Sequence, residues 1–292
     1  MLTHHHPNPH QPSRVVLFGA GGFIGRSLAH HLGRAGVRVH ALGRDAIDLG
    51  NDTAANSITA ELNDGDTVVF LSALTPDKGR GSSVFLANIK MAESICTAVK
   101  DKSLRQFVYV SSDAVYPFRD DKINENSCAE PTDLYSAMHI SREIMIKASV
   151  TAPLAILRPT LVFGAGDTHN SYGPNRFRRE ARKDGRITLF GGGEETRDHI
   201  LIDDVVELMR LVVAHTSTGT LNLATGYSVS FRHLAEKVAS FFDRPIEIIE
   251  KPRQTTITHR AFDVTAIHRH FSTFRFTPLE KGLTSTQEKD AE

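Results

Sequence analysis

The sequence predicts an α/β fold in which helices cover both faces of a doubly wound, parallel sheet. Short apolar runs, beginning with Val15–Phe18, alternate with longer amphipathic stretches. This alternation is typical of βαβ units, whose parallel strands are buried on both faces. A chain of 292 residues is also long enough to bury a full core without disulfides or metal ions.

The first half of the chain contains the clearest alternation of strands and helices. The predicted strands span residues 14–18, 37–42, 67–71, 106–111 and 154–157. The predicted helices span residues 23–34, about 84–99 and about 134–149. Because crossovers between parallel strands are right-handed, these units are expected to wind into one sheet.

Beyond Gly164 the sequence changes, and we expect a smaller C-terminal lobe there. Residues 164–193 are rich in loop-forming residues, helices are expected over 203–214 and from Ser230 to about 242, and strands over 220–224 and 246–249. The chain is thereby divided into a disordered leader at 1–13, a sheet domain at 14–163 plus about 198–225, the smaller lobe at about 164–197 plus 226–283, and a frayed tail at 284–292.

Composition and charge narrow the class of protein. Lys and Arg number 34, as do Asp and Glu, and the resulting net charge of zero argues against a nucleic-acid partner. Two cysteines, Cys96 and Cys128, make no disulfide framework, which favours a reducing compartment. No apolar run reaches the roughly 18–20 residues that span a bilayer. We therefore expect a cytoplasmic protein with no membrane partner, and we predict no metal site.

A glycine turn follows the first predicted strand and opens the first predicted helix. Gly19, Gly22 and Gly25 have the spacing GxxGxxG, with Phe23 and Ile24 between the last two. Glycines permit a tight turn and close approach of the backbone, so that a pyrophosphate can sit at the positive N-terminus of the helix. In this strand–turn–helix context the pattern predicts a Rossmann-like dinucleotide site at these five residues.

The end of the second predicted strand bears on which dinucleotide is bound. NAD sites usually have an acidic residue there for the ribose 2′-hydroxyl. Here Arg44 follows that strand, and arginine suits a 2′-phosphate through bidentate, charge-assisted hydrogen bonds. A solvated surface arginine is the alternative. We expect NADP in preference to NAD, with Asp48 and Leu49 beside the adenine.

Several further motifs, taken in order, resemble the extended short-chain dehydrogenase/reductases, the family of nucleotide-sugar epimerases, dehydratases and reductases. The motifs are GAGGFIG at 19–25, SSDAVYP at 111–117, the helix beginning at Tyr135, RPTLVFG at 158–164, RDHILIDD at 197–204 and HRAFD at 259–263. The resemblance covers about residues 14–283. It implies a dinucleotide-binding domain on the sheet, a substrate-binding C-terminal lobe, and a homodimer formed through a pair of helices.

The resemblance also implies a catalytic set. In the family a serine or threonine works with the tyrosine of a YxxxK helix, and the matching residues are Ser112 and Tyr135. The tyrosine takes or gives the proton of a substrate hydroxyl while hydride moves to or from the nicotinamide, and the serine holds the same oxygen. The lysine supplies a cation, because a phenol with a pKa of roughly 10 needs one at neutral pH.

His139 stands where the family has that lysine. Three interpretations remain open: a functional substitution, an enzyme with a shifted pH dependence, or a protein that has lost the redox step. We expect His139 to perform the lysine's role, either hydrogen-bonded to the cofactor ribose or kept charged by a neighbouring carboxylate. In that case kcat/KM follows a histidine-like ionisation, and His139→Lys retains activity.

Asp113 is a further catalytic candidate, because dehydratases of the family use an acidic residue at this point to protonate a leaving hydroxyl. In those enzymes a glutamate follows, whereas here Ala114 follows. The incomplete pair favours epimerisation or reduction over dehydration. A role for Asp113 as a turn residue at the strand end is the alternative.

The resemblance places the substrate residues in the C-terminal half. Arg197 and Arg260 match arginines that bind the diphosphate of a nucleotide sugar, and Asp263 matches an acidic residue on the nucleoside ribose. Asn175 and Arg176 are further candidates for an anionic substrate. Arginine's planar guanidinium suits two phosphate oxygens.

The leading hypothesis is therefore an NAD(P)-dependent epimerase or reductase that acts on a nucleotide-diphospho-sugar, with Tyr135 as the acid and base. One alternative is a reductase of a carbonyl substrate without a nucleotide. Another is a catalytically silenced, NAD(P)-binding regulatory protein.

Overall fold

The computed structural model describes residues 2–119 and 121–289. Its strands are β1 (Thr3–His4), β2 (Val15–Phe18), β3 (Val39–Leu42), β4 (Thr67–Phe70), β5 (Gln106–Val110), β6 (Leu154–Pro159), β7 (Leu161–Phe163), β8 (Arg186–Phe190), β9 (Thr196–Leu201), β10 (Ser217–Leu223), β11 (Ser228–Ser230) and β12 (Glu247–Lys251). Its α-helices are α1 (Phe23–Arg34), α2 (Ala54–Glu61), α3 (Ser82–Val99), α4 (Leu134–Ser149), α5 (Pro174–Asp184), α6 (Ile202–Ala214), α7 (Phe231–Ala239), α8 (Thr265–His270) and α9 (Leu279–Lys289).

Seven strands form the central sheet, in the order β1-β10-β6-β5-β4-β2-β3. All neighbours are parallel except β1, which runs antiparallel to β10. In register, Val15 of β2 stands beside both Val39 of β3 and Thr67 of β4. The chain order therefore reverses at β2, and such a reversal opens a crevice at the carboxyl ends of the strands. The predicted doubly wound α/β fold is confirmed.

The apolar strands are buried from both sides. Alternate residues of β2 enter different layers: Leu17 packs with α1 and α6, whereas Phe18 packs with α2, α3 and α4. This two-sided burial explains why the central strands are uninterrupted apolar runs.

The smaller lobe combines two small sheets with α5 and α7. Strands β7, β9 and β11 form one sheet, and β12 pairs in parallel with β8. Residues 164–193, expected to be rich in loops, contain α5 and β8. Helix α5 forms because Phe177 and Ala181 bury one stripe of an otherwise basic segment. The boundaries proposed for the two domains remain a prediction.

The structure corrects the two predicted disordered ends. In the leader, Thr3–His4 pairs with β10, Leu2 is buried, and His4 Nδ1 lies 2.8 Å from Ser217 Oγ. The segment therefore covers what would otherwise be an open edge of the sheet. The predicted frayed tail is also wrong over 284–289, because α9 buries Leu283 and Thr286. Residues 290–292 lie outside the described residues.

Candidate active site

A cavity of about 1070 Å³ lies beyond the carboxyl ends of the parallel strands, where the strand order reverses. It extends from the glycine turn, past the first turns of α4, to the smaller lobe. Its lining includes the predicted residues Gly19, Gly22, Phe23, Ile24, Gly25, Arg44, Asp48, Leu49, Ser112, Asp113, Tyr135, His139, Asn175, Arg176, Arg197 and Arg260. The predicted cofactor, catalytic and substrate residues thus meet in one space, with the exception of Asp263.

The glycine turn is as tight as the spacing predicts. Gly19 has φ +96°, and a Cβ there would lie 2.7 Å from the backbone N of Ser72. A Cβ at Gly25 would lie 2.2 Å from the carbonyl oxygen of Gly19. Helix α1 begins after Gly22, and no side chain caps its first N–H groups. The turn and this helix end therefore fit the pyrophosphate of a dinucleotide.

Arg44 lies at the far end of the cavity with its side chain 80% exposed. Its Nε and Nη2 donate to Asp48 Oδ2 at 3.2 and 3.1 Å. Hydrogen bonds from the Gly50 N–H and from Arg44 lower the pKa of Asp48, although burial opposes them. The pair is exposed and local, so its separation costs little free energy.

Ser112 and Tyr135 approach each other from β5 and α4. The Ser112 hydroxyl accepts a hydrogen bond from Ala114 N, 3.1 Å away, at the end of β5. Tyr135 sits in the first turn of α4, which Asp133 and Ser136 fix through a reciprocal capping box. Burial raises the pKa of the Tyr135 phenol to about 12, and its hydrogen-bonding interaction with Ser112 opposes that rise. The phenol is therefore protonated, and ready to donate, at neutral pH.

His139 lies one turn further along α4 and is buried. Its ring meets the Tyr135 ring edge-on, with 4.8 Å between centroids. Nδ1 lies 2.9 Å from the Tyr109 hydroxyl, while Nε2 has no partner among the described residues. Burial, and then the charge of Arg142, lowers the pKa of His139 to about 3. The expected carboxylate neighbour is thus replaced by an arginine, and we no longer expect a histidine-like ionisation near neutral pH.

Asp113 forms an ion pair with Arg260, and both residues line the cavity. Arg260 Nη1 lies 2.8 Å from Asp113 Oδ2, and Nη2 donates to the carbonyl of Tyr116. The guanidinium groups of Arg260 and Arg197 both lie over the Phe118 ring, 4.4 and 4.7 Å from its centroid. Burial, and then the charge of Arg260, lowers the pKa of Arg197 to about 10. Two crowded cations of this kind favour an anionic ligand.

The remaining predicted substrate residues differ in position. Asn175 Oδ1 accepts from Gly164 N at 3.2 Å, and Arg176 Nε donates to Glu180 at 2.7 Å, both at the cavity. Asp263 instead accepts hydrogen bonds from the backbone and hydroxyl of Thr265, at the start of α8. Its carboxylate is occupied locally, which explains why it lies outside the lining.

Sequence reasoning missed three buried residues near the cavity: Tyr109, Arg142 and His199. Both ring nitrogens of His199 lack a partner among the described residues, and the side chain lines the cavity. Burial lowers its pKa to about 3. Arg142 carried a usable signal, because it follows Tyr135 by seven residues and therefore lies on the same helix face.

The described residues contain neither a cluster of metal ligands nor a membrane-spanning helix. Residues 2–119 and 121–289 contain no group of three or more His, Cys, Asp or Glu side chains placed to hold a metal ion. Over the same part of the chain, every helix is too short or too polar to cross a bilayer.

Comparison with known proteins identifies related sequences over most of the chain. The sequence model of the NAD dependent epimerase/dehydratase family matches residues 15–224. An N-acetyl-alpha-D-glucosaminyl-diphospho-ditrans,octacis-undecaprenol 4-epimerase from Escherichia coli O157:H7 is 25% identical, over 74% of this chain and 65% of its own length. An ADP-L-glycero-D-manno-heptose-6-epimerase from Alkalilimnicola ehrlichii is 23% identical, over 92% of this chain and 95% of its own length. The chain thus spans less than two thirds of the first of these relatives and nearly all of the second.

Solved structures share the fold. The UDP-glucose 4-epimerase of Thermus thermophilus, in complex with NAD, has a TM-score of 0.84 at 18% identity and covers 95% of this chain and 99% of its own. A GDP-L-fucose synthetase from Naegleria fowleri, bound to NADP, has a TM-score of 0.80 at 18% identity, over 95% of this chain and 94% of its own.

Proposed function

This chain belongs to the NAD dependent epimerase/dehydratase family, and from that premise we propose that it is an enzyme that epimerises a nucleotide-diphospho-sugar with the help of NAD(P). The observation that carries this proposal is the single cavity of about 1070 Å³, which joins the glycine turn to Tyr135 and to Arg197. Its volume exceeds the roughly 300–1,000 Å³ of pockets for one drug-sized ligand, which supports a site for a cofactor and a substrate side by side.

Tyr135 and Ser112 move and hold the proton of the reacting hydroxyl. When bound, the nicotinamide supplies hydride transfer to or from the substrate carbon. The Tyr135 phenol, at the inner end of the cavity, exchanges a proton with the substrate oxygen, and the Ser112 hydroxyl orients that oxygen. Because the phenol is protonated at neutral pH, donation to a carbonyl oxygen is the easier half of this exchange.

Arg197 and Arg260 bind the diphosphate. Their guanidinium groups converge on Phe118 at the substrate end of the cavity, and Asp113 neutralises only one of them through its pair with Arg260. A diphosphate would relieve the repulsion between the two cations through charge-assisted hydrogen bonds. Arg197→Ala should therefore raise KM for a nucleotide sugar, whereas Arg186→Ala, an exposed change in the same lobe, should not.

Arg44 selects NADP over NAD. Its side chain is exposed at the cavity, and separating it from Asp48 requires little free energy. The test is to measure Kd for NADPH and NADH in the wild type and in Arg44→Ala. We expect the variant to lose affinity for NADPH alone, which brings the two values together. A wild type that prefers NADH would contradict this assignment.

The proposed chemistry is tested with Tyr135→Phe on a panel of UDP-, GDP-, ADP- and dTDP-sugars. Removal of the acid–base group should lower kcat by about 10²–10⁴-fold, while Kd for NADPH changes little. Tyr227→Phe is the matched control, because Tyr227 is 62% exposed and lies outside the cavity lining. Full activity in Tyr135→Phe would overturn the proposal.

A reductase of nucleotide sugars is the second candidate, and two observations favour it: the protonated state of Tyr135 and the exposed Arg44 at the ribose end. The same panel separates the two. An epimerase converts one sugar diastereomer into another without net loss of NADPH, whereas a reductase consumes one NADPH for each product formed.

A further inference from the structure

A neutral His139 cannot supply the charge that a lysine would bring to Tyr135. The residue is 2% exposed, and its ring contacts Tyr135 and Tyr109. The charge that acts on it is that of Arg142, and none of these neighbours is a carboxylate. A tyrosine that exchanges protons near neutral pH is helped by a nearby cation. A cation that acts on Tyr135 therefore has to be sought among the other residues of the site.

Arg142 is a buried cation that donates its hydrogen bonds to uncharged groups. It is fully buried on α4, one turn beyond His139. Nη1 donates to the carbonyl of Ser72 at 2.7 Å, and Nε and Nη2 donate to the carbonyl of Asn88 at 2.8 and 2.6 Å. Nη2 also reaches Asn88 Oδ1 at 3.0 Å. No carboxylate pairs with Arg142 in residues 2–119 and 121–289, so its positive charge is not cancelled locally.

Tyr109 connects this cation to His139. Its hydroxyl lies 2.9 Å from His139 Nδ1. Burial raises the pKa of the Tyr109 phenol, and the positive charge of Arg142 opposes that rise. A positive charge on this side favours the arrangement in which the Tyr109 oxygen faces Arg142 and the Tyr109 proton is directed to Nδ1. His139 then carries its ring proton on Nε2. This N–H is the unpartnered nitrogen of a residue that lines the cavity.

We propose that two residues divide the work of the missing lysine: His139 is a neutral N–H donor toward the nicotinamide ribose, and Arg142 is a positioning residue that supplies the fixed positive charge beside Tyr135 and sets the His139 tautomer through Tyr109. The inference rests on the proposed function for its meaning, but its two structural parts are measurable without any substrate.

The other charged groups near Tyr135, Tyr109 and His139 do not replace Arg142. Tyr135 is influenced by Asp113 and Asp133, both of which disfavour its anion, and Asp113 is already paired with Arg260. Glu143, next to Arg142, acts on Tyr109 in the same unfavourable direction and is held by Arg158. Cys96 of α3 is the remaining titratable group that acts on Arg142. Among these groups, Arg142 alone stabilises a phenolate at Tyr135.

The tautomer is tested by ¹⁵N NMR of histidine-labelled protein, with the His139 signals assigned through their loss in His139→Gln. We expect a neutral ring protonated on Nε2 from pH 5 to pH 8. In Tyr109→Phe the Nδ1 signal should lose its hydrogen-bonded shift. A His139 that titrates near 6.5, or that carries its proton on Nδ1, would overturn the first half of the proposal.

The charge is tested by replacing Tyr with 3-fluorotyrosine, which lowers the phenol pKa, and following the Tyr135 ¹⁹F signal against pH. Arg142→Met should raise the titration midpoint by roughly 1–2 pH units, whereas Arg142→Lys should stay near the wild-type value. The double variant His139→Lys/Arg142→Met should restore it. Arg244→Met is the control, because Arg244 also donates to main-chain carbonyls, those of Ala181 and Arg182, but in the smaller lobe.

The outcomes separate this inference from the proposed function. An unchanged midpoint in Arg142→Met overturns it. If that variant does not fold, Arg142→Lys decides: a midpoint well above the wild-type value would overturn it too. No turnover on any nucleotide sugar would refute the proposed function while leaving both NMR results standing.

Discussion

Replacing Gly25 by alanine should destabilise the protein, although the same change elsewhere in α1 should stabilise it. A Cβ at Gly25 would lie 2.2 Å from the Gly19 carbonyl oxygen and 2.9 Å from the Ala20 Cα, both of them backbone atoms. Contacts under 3.0 Å are essentially never seen for a real Cβ, so the turn and the helix must separate by roughly 0.8 Å. Overpacking of this kind costs about 1–3 kcal/mol.

Gly33 provides the control within the same helix. It is exposed, and a Cβ there would meet no heavy atom within 4 Å. Gly33→Ala should therefore raise the free energy of unfolding by about 0.5–1 kcal/mol, through the lower entropy of the unfolded chain.

Urea unfolding and NADPH fluorescence measure both consequences. Gly25→Ala should lower the free energy of unfolding by about 1–3 kcal/mol. It should also weaken NADPH binding by about tenfold or more, because a loss of about 1.4 kcal/mol from the displaced turn is tenfold in Kd. Gly33→Ala should leave Kd unchanged. If Gly25→Ala matches the wild type in both measurements, the close contact that underlies the cofactor site is wrong.

Three further predictions concern acid stability, a buried ion pair and self-association. Burial lowers the pKa of His139 and His199 to about 3, whereas the unfolded value is roughly 6.5. Between these two values the unfolded chain binds the proton and the folded chain does not, so each histidine lowers the free energy of unfolding by about 1.4 kcal/mol per pH unit as the pH falls. Urea unfolding at pH 7 and pH 5 should show this loss, and His199→Phe should remove about half of it. Arg158 donates to both oxygens of the buried Glu143 at 2.9 and 2.6 Å, so Arg158→Met should cost about 3–5 kcal/mol, and a loss under about 1 kcal/mol would show that the pair matters little. Ile144 of α4 is 62% exposed, as expected for a helix-pair homodimer, and Ile144→Asp should shift the sedimentation coefficient from dimer to monomer; a wild type that sediments as a monomer at micromolar concentration would contradict the predicted dimer.

The sheet and the glycine turn are predictable because local sequence decides them. A strand buried on both faces needs an apolar run, so the sequence predicts Val15–Phe18 and Gln106–Val110 nearly to the residue. The turn after β2 needs glycine at Gly19 and Gly25 for steric reasons that act within a few residues. Both constraints depend on residues that are close together in the sequence.

The missed elements depend on distant partners instead. Helix α2 buries only Ala54 and Ile58, too few apolar positions for a clear helical period. The first residues look like a polar leader, yet the open edge of β10, more than 200 residues away, gives Thr3–His4 a partner. Neither the shortage of apolar residues nor the polar composition reveals the surface that these segments cover.

The catalytic helix shows how a motif can conceal the residue that completes it. A YxxxK pattern directs attention to position 139 alone, and histidine there suggests either a weak cation or a lost activity. Helical geometry places Arg142 on the same face, but only its packing against α3 and the segment after β4 shows that its hydrogen bonds go to the carbonyls of Asn88 and Ser72, with no carboxylate. A buried, uncompensated guanidinium is costly unless an anion is favoured beside it. The cost of burying Arg142 therefore favours a role for its charge beside an anion. The phenol of Tyr135 can become that anion, whereas the imidazole of His139 cannot.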